Sequence, residues 1–91
     1  MKQRAKVDRL LESAFEKLVA RDPDFLMDLV ITPTTPDAVE PLVKTIERLG
    51  GKTERVLPEK INARVPVGKV EDLASSPLVS SARLARLHRM H

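Results

Sequence analysis

Apolar side chains recur along residues 3–20 with a helical period. Val7, Leu10, Leu11, Ala14, Phe15, Leu18 and Val19 fall at i, i+3, i+4, i+7, i+8, i+11 and i+12, which is one stripe on a helix of about 3.6 residues per turn. Glu12, Lys17 and the other charges lie off that stripe. Arg21-Asp22-Pro23-Asp24 ends the helix, because a proline disfavours helical backbone at the residue before it. The stripe predicts a helix packed on its own domain. The competing reading is a homo-oligomer or partner interface through Val7, Leu11, Phe15 and Leu18.

The pattern then changes to short apolar runs with turns between them. Phe25 to Thr32 is apolar and β-branched towards its end, which predicts a first strand. A second helix is predicted from Asp37 to Leu49, with Val39, Leu42, Val43, Ile46 and Leu49 as its buried stripe. Asp37 and Glu40 have the spacing of a capping box, and Pro41 forfeits an early hydrogen bond. Gly50-Gly51 closes this helix, since a left-handed residue costs glycine little. Lys52 to Leu57 is predicted as a strand with Thr53, Arg55 and Leu57 on one face and Val56 on the other. Pro58-Glu59-Lys60 turns the chain. Ile61, Ala63, Val65 and Val67 alternate towards a core, and Pro66, which cannot donate to a ladder, belongs at an edge or a strand end. A short helix spans Val70 to Ser75, Ser76-Pro77 stops it, and a last strand begins at Leu78-Val79.

After the first helix the order is therefore β-α-β-β-α-β. That predicts an α+β, ferredoxin-like antiparallel sheet with two helices on one face, plus the additional N-terminal amphipathic helix. The opposite face is either covered by the N-terminal helix or left as a docking surface. The chain divides into the helix, 1–24, and the α/β domain, 25–91, which ends in a tail, 84–91.

Composition narrows this picture. Ninety-one residues with 42% apolar and 32% charged side chains suit one modest core. Two Phe, no Trp and no Tyr make that core aliphatic, and the absence of Cys removes disulfides, thiol chemistry and cysteine zinc sites. No run is long and apolar enough to span a membrane, and charges interrupt any apolar stretch near Met1, so no secretory signal is read and a cytoplasmic location is expected. The net charge of +3 is unevenly placed: residues 79–91 hold Arg83, Arg86 and Arg89 and no acid, while the rest of the chain is balanced. Charge thus points to a partner with an acidic groove facing the tail.

Candidate chemistry is sparse. Ser13, Ser75, Ser76, Ser80 and Ser81 have no rigidly held His beside them, and both His lie in the tail, so nothing builds a nucleophile with an oriented base and no enzyme activity is expected. His88 and His91 supply two imidazoles without an acidic or thiol partner, too few for a metal set; no metal or cofactor is expected. Arg83, Arg86 and Arg89 recur every third residue with Leu84 and Leu87 between, which suits either a solvated extended tail or a basic helix. A ferredoxin-like RNA binder stacks bases on aromatic side chains of its central strands, and Phe15 and Phe25 are not so placed. Nucleic acid binding would rest on charge alone.

Taken together in order, Leu29-Val30-Ile31-Thr32-Pro33, a helix ending Arg48-Leu49-Gly50-Gly51-Lys52, Asn62-Ala63-Arg64-Val65-Pro66, and Val70-Glu71-Asp72-Leu73-Ala74-Ser75-Ser76-Pro77-Leu78-Val79 resemble the propeptide (inhibitor) domain of subtilisin-like serine proteases, over residues 26–91. The resemblance implies a ferredoxin-like domain that docks its open sheet face on the protease and lays its C-terminal residues in the active-site cleft, as a folding chaperone and inhibitor. By position, His88, Arg89, Met90 and His91 would enter the cleft. An extended tail pairs its main chain with the cleft edges while alternate side chains fill pockets. Members of that family often carry acids late in the last strand, facing helix N-termini of the protease, where anions are favoured. Here that stretch is Arg83-Leu84-Ala85-Arg86. The alternative from another class is a small adaptor or oligomerisation domain that binds through its N-terminal helix or sheet face.

Overall fold

The computed structural model describes residues 6–85. Its elements are α1 (Arg9–Leu18), β1 (Leu26–Pro33), α2 (Val39–Arg48), β2 (Lys52–Val56), β3 (Ile61–Pro66), α3 (Val70–Ala74) and β4 (Val79–Leu84), with 3₁₀ turns before α2 and α3. The strands form one antiparallel sheet in the order β2-β3-β1-β4. The chain is α+β, a βαββαβ core after an N-terminal helix, as the order of apolar runs implies.

Cross-strand pairs put the same side chains on one face. Met27, Leu29 and Ile31 of β1 lie opposite Val65, Ala63 and Ile61 of β3, and Leu29 and Ile31 lie opposite Leu84 and Ala82 of β4. This face meets Leu42 and Ile46 of α2 and Val70 and Leu73 of α3 in a single core. Leu11 and Phe15 of α1 join that same core. The helix α1 therefore lies in the layer of α2 and α3, and it does not cover the other face of the sheet. The core is aliphatic but for Phe15, and no polar or charged residue is buried among the described residues.

Several predicted boundaries and faces change. Helix α1 starts at Arg9, not near residue 3, because Asp8 caps it in an extended conformation and Val7 makes a parallel bridge to Ala82 of β4. The predicted cap at Asp37 is replaced by a 3₁₀ turn, Pro36–Ala38, and the Ala38 cap of α2 makes no side-chain bond. Pro41 then falls at the third position of α2, where the backbone N–H has no partner within the helix in any case. The even alternation expected in β2 is broken by a bulge between Thr53 and Arg55. Thr53 pairs with Ala63 on the core side and Arg55 with Asn62 on the other, so they do not share a face. The extra residue of a bulge resets the alternation after it.

Candidate functional site

The uncovered face of the sheet is built from the alternate residues of the same strands. It carries Asp28, Val30 and Thr32 of β1, Asn62 and Arg64 of β3, and Ser81 and Arg83 of β4, which are cross-strand partners in these sets. Val30, between Asn62 and Arg83, is the buried apolar residue at its centre. Leu26, half exposed, lies at one end opposite Pro66. Arg64 sits between two carboxylates: its Nε is 3.0 Å from Asp28 Oδ1 and 3.1 Å from Glu54 Oε2. Glu54 reaches this arginine from the bulge of β2. With both acids shared by one guanidinium, Lys52, Arg55 and Arg83 leave the face with an excess of positive charge.

The end of β4 is fastened from both sides. The Ala85 N–H donates to the Asp28 carbonyl at 2.9 Å. On the outer edge, the Asp8 N–H donates to the Ala82 carbonyl at 3.3 Å, and Asp8 Oδ1 accepts from the N–H of Leu11 at 2.9 Å and of Leu84 at 3.4 Å. One carboxylate thus caps α1 and closes the edge of β4, where unpaired backbone groups would otherwise face water. Its sequence signal was an Asp directly before an apolar periodic run, hidden because the stripe extends back to Val7.

Of the residues singled out from the sequence, Arg83 is exposed on the uncovered face of β4. Arg86, His88, Arg89, Met90 and His91 lie outside the described residues. Leu11 and Phe15 are buried in the chain's own core, and Val7 and Leu18 pack against it. An interface through α1 therefore cannot use Leu11 or Phe15, while Leu18 keeps part of its surface. Two of the serines serve the backbone locally: Ser75 Oγ donates to the Glu71 carbonyl at 2.9 Å, and Ser76 Oγ accepts from the Leu78 N–H at 3.1 Å. Among the described residues no three His, Cys, Asp or Glu side chains gather as a metal site, and no helix is long and apolar enough to cross a membrane. Set against known proteins, the chain matches no family model, no curated protein and no solved structure.

Proposed function

We propose that this chain is a non-catalytic, propeptide-like inhibitor or folding chaperone of a subtilisin-like serine protease, ferredoxin-like in fold. The uncovered sheet face docks on the protease and His88, Arg89, Met90 and His91 occupy its cleft, with His91 just before the scissile position. The observation that carries the reading is the bare sheet face beside a fastened last strand. The three helices of the described residues pack on the other side of the sheet, so no described helix occupies this platform. Holding the Leu84 N–H on the Asp8 carboxylate and the Ala85 N–H on the Asp28 carbonyl lowers the ordering cost of presenting whatever follows. Arg83 and its basic neighbours suit a protease whose docking surface is acidic, where the family pattern has acids on the inhibitor.

The test is a titration of the full chain into a panel of subtilisin-like proteases, following peptide hydrolysis, with and without residues 88–91. Inhibition of at least one protease, lost by orders of magnitude on deletion of the four residues while the far-ultraviolet dichroism is unchanged, is the expected result. Inhibition that survives the deletion removes the cleft mechanism. No inhibition of any protease removes the protease reading altogether.

A further inference from the structure

Helix α1 buries Leu11 and Phe15 but leaves Leu10 two-thirds exposed. An apolar side chain so exposed has weight only as part of a patch, and here it is part of one. Leu10, Ala14 and Leu18, spaced i, i+4, i+8 on one side of the helix, face Leu84 of β4 across a groove of about 410 Å³. Ser13, Lys17 and Arg21 complete its walls. No carboxylate of the described residues lines it. A second depression of about 640 Å³ shares Leu10, Ser13 and Lys17 with the groove and adds Arg9, Glu12 and Glu16. The glutamates of α1 thus border only the second depression, while the groove beside Leu84 carries Lys17 and Arg21.

We infer that this groove binds an acidic, amphipathic peptide segment of a partner protein, its apolar side chains on Leu10, Ala14, Leu18 and Leu84 and its carboxylates on Lys17 and Arg21. The small residues Ser13 and Ala14 let a backbone come close, and a helix laid along the groove would meet it with side chains at i, i+3 or i+4, and i+7. The occupant is decided by charge. The chain's own segment after Leu84 carries Arg86 and Arg89 and no acid, so it would be repelled by Lys17 and Arg21. An anionic membrane would accept Leu10 and the two cations, but the groove is concave and Glu12 and Glu16 flank the same exposed leucine. The site lies on α1, on the layer away from the uncovered sheet face, so it stands or falls independently of the protease reading.

The experiment is selection of a displayed random peptide library, with peptides of about three helical turns, against the full chain. The enriched peptides are then titrated by fluorescence anisotropy. The expected outcome is enrichment of Asp and Glu with leucines three or four apart. Binding should weaken about tenfold or more in Lys17→Glu/Arg21→Glu, as opposed charges become like charges, and should weaken with salt. Leu10→Ser, at a site exposed enough to leave folding intact, should also weaken it. Enrichment of neutral or basic peptides, no enrichment, or affinity unmoved by Lys17→Glu/Arg21→Glu would overturn the inference. So would binding that disappears on removing residues 86–91, since the site would then be the tail. Equal loss of binding to phosphatidylserine vesicles and to the peptides in the variants, with the vesicles bound more tightly, would reassign the surface to a membrane.

Discussion

Asp8 ties two elements together. Its carboxylate caps α1 through the Leu11 N–H and reaches the Leu84 N–H, and its own N–H holds Ala82. Loss of a capping carboxylate costs about 1 kcal/mol. Asp8→Ala should lower stability by about that amount in urea unfolding, and should also raise amide exchange at Leu84, which a cap serving the helix alone would leave unchanged. The glycines closing α2 give a second test at this scale. Gly50 has φ of +89°, and a Cβ on Gly51 would stand 2.8 Å from Ile46 Cγ2 and 2.9 Å from the Arg64 carbonyl oxygen. Ile46 is fully buried and Arg64 is in the central strand β3, so neither gives way cheaply. Gly51→Ala should cost about 1–3 kcal/mol, the range for overpacking. By contrast Glu54→Ala, which breaks an exposed ion pair with Arg64, should change stability by less than about 1 kcal/mol.

At the scale of elements, the two sides of α1 have different work to do. Phe15, 7% exposed, and Leu11, 0% exposed, belong to the core, while Leu10 faces outward. Phe15→Ala should destabilise the chain by about 3–5 kcal/mol, as for a large buried side chain replaced by a small one. Leu10→Ala should leave stability within about 0.5 kcal/mol, as for a surface site. Thermal unfolding of the two variants checks this; equal losses would mean that α1 does not sit as described. The edges of the sheet also differ. The edge at β4 is closed by Val7 and Asp8. The edge at β2 is open, but it is short, charged and bulged, which are the ways exposed strands avoid pairing with other chains.

For the whole molecule, what matters is that one layer of helices serves one face of the sheet. A small chain has only enough apolar side chains for a single core, and the addition of α1 to the layer of α2 and α3 concentrates them there. The other face is left to Arg64 with its two carboxylates, to Lys52, Arg55 and Arg83, to the shielded Val30, and to Leu26 at one end. A face of that kind offers a broad, positively charged platform with little apolar surface at its centre. The protease titration with and without residues 88–91 tests what the platform is for.

The periods of the apolar residues were enough to place the elements of the described fold and the aliphatic core. The 3.6-residue stripes of α1 and α2 and the alternation of β3 each name one buried face, and burial of apolar area is the dominant force at those positions. Turn chemistry at Gly50-Gly51 and Pro58 is local, so it too was legible. What residues distant in sequence do to one another was not. A stripe names the buried face of α1 but not the surface it meets, and only tertiary packing put it beside α2 and α3. Asp8 acts on Leu84, 76 residues away. The bulge in β2 puts Arg55 opposite Asn62 on the outer face and away from Thr53, against the expected alternation. Leu10, Leu18 and Leu84 make a groove only because α1 lies along β4. Periodicity is a property of neighbours along the chain, while a site is a property of neighbours in space, and the βαββαβ topology decides which residues become those neighbours.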